Sequence, residues 1–122
     1  MSENCPFCDD ADAIIKGRLV YSRFDKYPVS PGHTLITPIR HVESYFKTTH
    51  EEKIEILEMI ERVKEIIDQE YEPDGFNIGI NIGDSAGQSI PHVHMHVIPR
   101  YAGDMGDPKG GVRGVIPNKQ KY

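Results

Sequence analysis

The sequence has few of the features that mark secreted, membrane-spanning or nucleic-acid-binding proteins. Only two of its 122 residues are cysteine, too few for a disulfide framework. No apolar run approaches the roughly 18–20 residues that cross a bilayer, and the first residues lack the basic start and apolar stretch of a signal peptide. The net charge is −5, and no stripe of lysine and arginine is evident, which argues against stable nucleic-acid binding. These features predict a cytoplasmic protein without a membrane partner.

Length and composition predict a single globular domain over residues 1–122. The chain is 38% hydrophobic and 27% charged, an ordinary balance for a folded domain. A chain of this length buries about two thirds of the surface that its unfolded form exposes, so neither a metal nor a disulfide is required for folding. No repeat or linker divides the sequence. Residues 103–122 are rich in glycine, and we predict an irregular tail there.

One long helix is predicted over residues 50–70. Thr48 with Glu51, or Thr49 with Glu52, offers a capping box at its start. Apolar residues recur at helical spacing, and others widen the stripe that they form. The main stripe is Ile54, Leu57, Ile60, Val63 and Ile67, and the flanking residues are Ile56, Met59 and Ile66. We expect this helix to cover a sheet.

The strands are expected to form an antiparallel sheet of about five members. Two short strands broken at Gly17 are predicted within residues 13–24, followed by strands at 33–38, 76–82 and 91–99. The strand at 76–82 alternates apolar and polar residues, as a half-buried strand does. A short helical turn is predicted at 43–46. This order predicts an α+β fold with helices on one face of the sheet.

Three histidines at alternate positions are the most informative motif. His92, His94 and His96 stand at i, i+2 and i+4, so on a strand all three rings project from one face, about 7 Å apart. His33 opens another predicted strand and must be explained with them. Three interpretations compete: structural histidines with satisfied nitrogens, a catalytic zinc or iron site, and nucleophilic catalysis by an imidazole.

The residues around the histidines favour the nucleophilic interpretation. A phosphate that approaches an imidazole needs small residues and uncharged hydrogen-bond donors nearby. Gly87, Gln88 and Ser89 directly precede the histidine segment, and Asn81 lies on the preceding predicted strand. Catalytic metal sites of this type usually add a nearby carboxylate or another histidine, and neither follows His96 closely.

Two segments resemble the landmarks of the histidine triad superfamily. Residues 86–100 match its signature, in which three histidines alternate with apolar residues, and residues 27–38 are similar to its Pro/Gly-rich loop leading into a Gly-His strand. Both segments look closest to the fragile-histidine-triad and bacterial hydrolase branches. The resemblance spans about residues 5–104. It implies a histidine-triad-like α+β fold, a nucleotide substrate, and a homodimer that pairs through the long helix and an adjoining strand.

The resemblance also implies a role for each histidine. His94 matches the nucleophile that attacks the α-phosphorus of a nucleotide and forms a covalent nucleotidyl-histidine, which water then cleaves. The backbone carbonyl of His92 would accept its second ring proton. His96 would face the phosphoryl oxygens or the leaving group, and His33 would polarise the triad. The implied enzyme is a hydrolase or transferase that acts on a dinucleoside polyphosphate or nucleoside phosphoramidate and releases a nucleoside monophosphate.

Candidate nucleotide-binding residues carry over in the same way. Asp25 matches a position that binds ribose hydroxyls, although an ordinary turn residue capping its own loop explains it equally well from the sequence. Phe24 and Tyr21, with apolar neighbours such as Ile36, would contact a purine base. Developing negative charge would be stabilised by Asn81, Gly87, Gln88 and Ser89.

The cysteine pair indicates half of a metal site or a redox pair. Cys5-x-x-Cys8 alone is weak, because a zinc site needs two more ligands. Several bacterial members of the resembled family bind zinc with such a pair, a histidine after the strand that ends in proline, and the first triad histidine. Those positions are His41 and His92 here. The resemblance therefore implies a structural zinc and no organic cofactor.

Two other functional hypotheses stay open on the sequence. The first is a nucleotide-binding regulatory module whose turnover is slow and incidental. The second is a zinc-dependent hydrolase in which His92, His94 and His96 are the metal ligands.

Overall fold

The protein is described by a computed structural model covering residues 5–122. The elements are β1 (Ile15–Lys16), β2 (Val20–Phe24), β3 (Thr34–Pro38), α1 (His50–Tyr71), β4 (Gly75–Ile80) and β5 (Met95–Arg100). The five strands form one antiparallel sheet in the order β1-β2-β3-β5-β4, and the long helix α1 connects β3 to β4. This confirms the predicted α+β fold. The turn expected at 43–46 is a 3-10 turn at Tyr45–Lys47.

The start of α1 is stabilised by the predicted capping box between Thr49 and Glu52. The Thr49 hydroxyl accepts a hydrogen bond from the Glu52 amide at 3.0 Å, and the Glu52 carboxylate accepts one from the Thr49 amide at 2.8 Å. Glu52 is buried, and its charge is balanced by the Arg40 guanidinium at 2.9 Å. The helix ends where Glu72 takes the left-handed conformation.

The residues of α1 that pack against the sheet are not all those of the predicted main stripe. Ile56 and Met59 are buried with Val63 and Ile67, whereas Ile54 is 43% and Leu57 62% exposed. The predicted main stripe was therefore wrong at its first two positions. The apolar residues of α1 cover more than one side of the helix, so spacing alone could not show which side meets the sheet.

Strand β4 lies at one edge of the sheet and is only partly covered by α1. Ile78 pairs with Val97 and so lies on the helix face, but it is 41% exposed because α1 packs mainly on β2 and β3. Asn77 and Gly79 face the other side, as the alternation predicted. The strand ends at Ile80, so Asn81 lies just beyond it rather than on it.

Strand β5 begins later than predicted, at Met95. The preceding residues run alongside a loop instead, where the Val93 amide donates to the carbonyl of Val42 at 2.8 Å. His92 and His94 therefore lie before the strand and only His96 lies within it. The prediction that all three rings project from one strand face was wrong, because alternation applies only where the backbone is a regular strand.

The C-terminal residues fold into two 3-10 turns, Gly111–Val115 and Pro117–Lys119. They contain no strand or α-helix, which agrees with the irregular tail that we predicted. Over residues 5–122, the structure contains no helix that is both long and apolar enough to cross a membrane. The expected cellular location stays a prediction.

Candidate active site and metal centre

The ring of His92 is turned toward the N-terminal cysteines. It is completely buried, and its Nε2 donates a hydrogen bond to the carbonyl oxygen of Pro38 at 2.8 Å. In a neutral ring Nδ1 then carries the lone pair. That atom lies 3.3 Å from Sγ of Cys5 and 3.6 Å from Sγ of Cys8. Burial lowers the pKa of His92, which favours the neutral form that a metal ligand requires.

Cys5, Cys8, His41 and His92 together form a candidate metal centre. Their ligand atoms all lie within 4.8 Å of one another, and Nδ1 of His41 is 3.1 Å from Sγ of Cys8. Two thiols and two imidazoles are a donor set typical of closed, structural zinc sites. Burial and the neighbouring Cys5 raise the pKa of the Cys8 thiol, and a bound cation would oppose this by favouring the thiolate. The four side chains can hold a metal ion.

The tautomer of His94 is set by the backbone of its own segment. Its Nδ1 donates to the carbonyl oxygen of His92 at 2.9 Å, as expected, so the neutral ring carries its lone pair on Nε2. The ring is 8% exposed and packs against Phe7, whose ring centre is 4.7 Å away. The position of His94 is thus set by a hydrogen bond on one edge and an aromatic contact on its face.

A chain of hydrogen bonds determines the tautomers of His33 and His96. The Val29 amide donates to Nδ1 of His33 at 3.1 Å, so a neutral His33 carries its proton on Nε2. Through that proton, His33 donates a hydrogen bond to Nδ1 of His96, 2.9 Å away. A neutral His96 then carries its own proton on Nε2. The Nε2 proton of His96 is consequently available to donate a hydrogen bond to another group.

Burial keeps these two rings neutral. It is the main cause that lowers the pKa of His96 to about 4, and the neighbouring His94 and His33 lower it further, whereas Asp25 opposes the shift. Burial likewise lowers the pKa of His33 against the opposing effect of Asp25.

Asp25 forms the loop cap that was one of its two explanations, and its contact with ribose hydroxyls stays a prediction. Its Oδ1 accepts a hydrogen bond from the Tyr27 amide at 2.9 Å, which closes its own loop. Its Oδ2 lies 3.4 Å from Nε2 of His33. The carboxylate therefore caps the loop and also borders the histidine cluster.

The structure contradicts the assignment of Phe24 and Ile36 to a base pocket. Residues alternate along β2, so Phe24 shares the helix face with Val20, and its ring packs edge-on against Tyr71 of α1. Ile36 is buried in the core beneath α1. Both lie on the opposite face of the sheet from His96, because strand parity sends their side chains toward the helix.

The loop that precedes the histidines is held by its own hydrogen bonds. The side-chain amide of Gln88 donates to the carbonyls of Glu43 and Ile90, and its oxygen accepts from the Gly83 amide. This is a structural role, contrary to the expected phosphate contact. Gly87 and Ser89 lie exposed in the same loop, and Asn81 lines a cleft with His33 and His96.

A catalytic metal on the three triad histidines is also contradicted. Nδ1 of His92 faces the thiols, that of His94 faces a carbonyl, and that of His96 faces His33. Over residues 5–122, the two groups of potential ligands that lie within 4.8 Å of one another each contain only one of the three.

Phe7 and the Val29 amide are site components that the sequence analysis missed. The only available signal for Phe7 was an apolar residue between two candidate metal ligands. Its carbonyl accepts a hydrogen bond from the Tyr21 hydroxyl at 2.7 Å. The Val29 amide has no side-chain signature, so only the folded loop reveals its contact with His33.

Comparisons with known proteins show the family to which this sequence and fold are similar. The HIT domain family matches residues 8–103. An AP-4-A phosphorylase from Mycobacterium tuberculosis is 36% identical over 102 residues, covering 81% of this chain and 52% of the relative, so the chain spans about half the length of that relative.

Two solved structures are similar throughout most of their length. A HIT family protein from Bacillus anthracis has a TM-score of 0.78 and 32% identity, with 88% of this chain and 82% of that one covered. A zinc-bound histidine triad family protein from Mycobacterium smegmatis has a TM-score of 0.74 and 30% identity, with 83% and 78% covered.

The low pKa of His96 predicts a specific pH dependence. Because the folded pKa of about 4 lies below the unfolded value of about 6.5, the unfolded chain binds more protons between these pH values. Stability should therefore fall as the pH drops through this window, by at most about 1.4 kcal/mol per pH unit from this one group. His96→Gln should reduce that slope.

Ring nitrogen NMR shifts provide the direct measurement. We expect His96 to remain neutral at pH 5, and Asp25→Asn to lower its pKa further because a negative charge is removed. A His96 ring that becomes charged near pH 6.5 would contradict the prediction.

Proposed function

The chain belongs to the HIT domain family, and from this premise we propose that it is a nucleotide hydrolase or transferase. Its substrate would be a dinucleoside polyphosphate or a nucleoside phosphoramidate, attacked at the α-phosphate with release of a nucleoside monophosphate. The observation that carries this proposal is the hydrogen bond from Nδ1 of His94 to the carbonyl oxygen of His92, because it leaves Nε2 of a neutral imidazole free to attack.

In the first step Nε2 of His94 forms a bond to the α-phosphorus, and the bond from phosphorus to the leaving group breaks. The leaving group departs with the electron pair of that bond. The Nε2 proton of His96 can be donated to a phosphoryl oxygen or to the leaving group, and Asn81 can donate a further hydrogen bond. The positive charge that develops on His94 is stabilised by its contact with the His92 carbonyl, a role that a carboxylate plays in a Ser-His-Asp triad.

In the second step an acceptor attacks the nucleotidyl-histidine and the bond from phosphorus to nitrogen breaks. Water as acceptor gives a nucleoside monophosphate, and inorganic phosphate would give a nucleoside diphosphate. The similarity to an AP-4-A phosphorylase supports testing both. Asp25 beside His33 supports binding of the ribose of the attacked nucleotide, and the exposed Gly87 and Ser89 are open to a phosphate.

Replacement of His94 should abolish turnover. We expect His94→Asn to reduce AMP release from diadenosine tetraphosphate at least about a thousandfold, because no neighbour can form the covalent bond, while nucleotide binding is largely kept. His50→Asn, at the exposed start of α1, is the matched control. Mass spectrometry of quenched enzyme should find an adenylyl group on His94.

Two results would count against this mechanism. One is a His94→Asn enzyme that retains most of the activity, and the other is an adduct on a different residue. Assays with and without phosphate, analysed for AMP and ADP, identify the acceptor.

We also propose that the metal centre holds a structural zinc. The four donors would close a tetrahedral shell and leave no position for water, so zinc there would supply stability rather than a reactive ligand. The centre would attach the N-terminal segment to His92, whose carbonyl orients His94. Phe7, between the two cysteines, would be fixed against the His94 ring in the same way.

Loss of the metal should destabilise the fold. Protein purified without chelators should contain about one zinc per chain, and the double variant Cys5→Ser/Cys8→Ser should lower Tm by about 5–10 °C. A chelator should lower the Tm of the wild type but not that of the variant. The proposal fails if elemental analysis finds no metal and both thiols titrate as free.

Finally, we propose a homodimer that pairs through α1 and the β4 edge. Leu57 and Ile78 are exposed apolar residues on these elements, and an unpaired edge strand is usually protected from association or used for it.

Sedimentation at micromolar concentration tests the dimer. We expect twice the chain mass of 13.8 kDa. Ile78→Lys or Leu57→Lys should shift the protein toward monomer, since each places a charge in an apolar contact, whereas Ile116→Lys in the tail should not. A wild type that stays monomeric would refute the dimer.

A further inference from the structure

A cleft of about 440 Å³ opens beside His96, mainly on the face of the sheet opposite α1, and reaches Ile78 at the β4 edge. His33 and His96 form one end, Ile98 lies along the floor, and Val29 borders it from the loop before β3. Val112 and Val115 of the C-terminal tail form the remaining wall. The volume is within the range of small-molecule sites, which are mostly apolar with a few polar groups.

The tail that forms this wall is held together by its own contacts. The Arg113 guanidinium donates to the carbonyl of Lys119 at 2.9 Å and lies 4.6 Å from the ring centre of Tyr122. The Gln120 side-chain amide donates to the carbonyl of Lys109 at 3.3 Å. A wall with fixed shape loses less conformational freedom on binding than a frayed terminus would.

Apolar side chains around the cleft are left open to water. Val29 is 71%, Val112 58% and Val115 76% exposed. Gly79 adds space: it pairs with His96 across the sheet, and no atom lies within 4 Å of the place where its Cβ would be. The cleft thus offers an open, apolar surface directly next to two polar histidines, which suits a flat aromatic group attached to a polar chain.

The position of the nucleophile decides which half of a substrate the cleft would receive. Neither His94 nor Asp25 lines the cleft; His94 lies against Phe7 instead. In phosphoryl transfer the attacking and leaving atoms are roughly in line on opposite sides of phosphorus. The ring centre of His96 lies 5.2 Å from that of His94, and His96 lines the cleft. A leaving group that departs away from His94 and accepts the Nε2 proton of His96 would therefore extend into the cleft.

We propose that this cleft binds the leaving half of a dinucleoside polyphosphate, with the second nucleobase against Val112 and Val115. The inference rests on the proposed function and adds to it a site that selects the leaving group. In the reaction the first nucleotidyl group is transferred to Nε2 of His94 as its bond to the bridging oxygen breaks, and the second nucleotide departs from the cleft with that oxygen and the remaining phosphates. The C-terminal tail is then part of the substrate site of its own chain.

Two substrates that differ only in the second nucleoside test this proposal. Diadenosine tetraphosphate and adenosine 5'-tetraphosphate share the attacked nucleotide and the four-phosphate chain, and both release AMP. We expect the wild-type KM to be lower for the dinucleotide by about fivefold or more, the effect of one stacked base. The same difference should appear in calorimetric Kd values of the His94→Asn variant, which binds without turnover.

Variants of the wall should remove this preference. In Val112→Ser/Val115→Ser the KM ratio should fall toward one, because the apolar wall is lost. Gly79→Val fills the cleft from the strand and should have the same effect even if the tail variant folds poorly. Ile116→Ser is the matched control: Ile116 is an exposed β-branched residue of the same tail, 59% exposed, that does not line the cleft.

The outcomes separate this inference from the proposed function. Equal KM values for the two substrates in the wild type, with AMP released from both, overturn the inference and leave the proposed function intact. Absence of AMP release and of binding with both substrates overturns both. A wall variant that keeps the KM ratio but becomes monomeric in sedimentation shows that a second copy covers this surface, which also overturns the inference.

Discussion

The hydrogen bond of 2.9 Å between Nδ1 of His94 and the carbonyl oxygen of His92 is the contact on which the site depends. A carbonyl can only accept, so the imidazole must hold its proton on Nδ1 and its lone pair on Nε2. The contact is made where the backbone bends at His92, before β5 begins at Met95. Everything that holds His92 in place therefore also determines the state of His94.

His92 is held from two sides. Its ring donates to Pro38 at the end of β3 and faces Cys5 and Cys8 with the other nitrogen. The N-terminal segment that carries the cysteines also places Phe7 on the His94 ring. A metal at this centre would thus act on catalysis through position alone, since its ligands would present His94 without contacting the phosphate.

The second half of the site depends on the Pro/Gly-rich loop before β3. An amide of this loop, that of Val29, determines the tautomer of His33, and His33 in turn determines that of His96. Burial keeps His96 neutral, so it can donate a proton without the cost of a buried charge. Two neighbouring imidazoles consequently have opposite functions: His94 presents a lone pair and His96 presents a proton.

Much of this could be read from the sequence. The helix and its capping box at Thr49 and Glu52, the five strands, and the alternation of β4 depend on local preferences and periodicity, which short stretches of sequence express directly. The grouping of Cys5, Cys8, His41 and His92, and the bond between His94 and the His92 carbonyl, followed from resemblance to a family, because residues that are far apart in sequence leave no local signal of contact.

Only the tertiary structure decided which way the side chains point. Phe24 faces α1 because its parity in β2 is set by pairing with β3, and Leu57 is exposed because the sheet meets the other side of the helix. Gln88 is bonded within its loop. His92 faces the cysteines while the rings of His94 and His96 stay 5.2 Å apart, because β5 begins only at Met95. The contact of the tail with the cleft beside His96 has the same origin. A sequence determines which residues can form a strand or helix, but the partner that packs against each element determines which of its faces becomes core, site or surface.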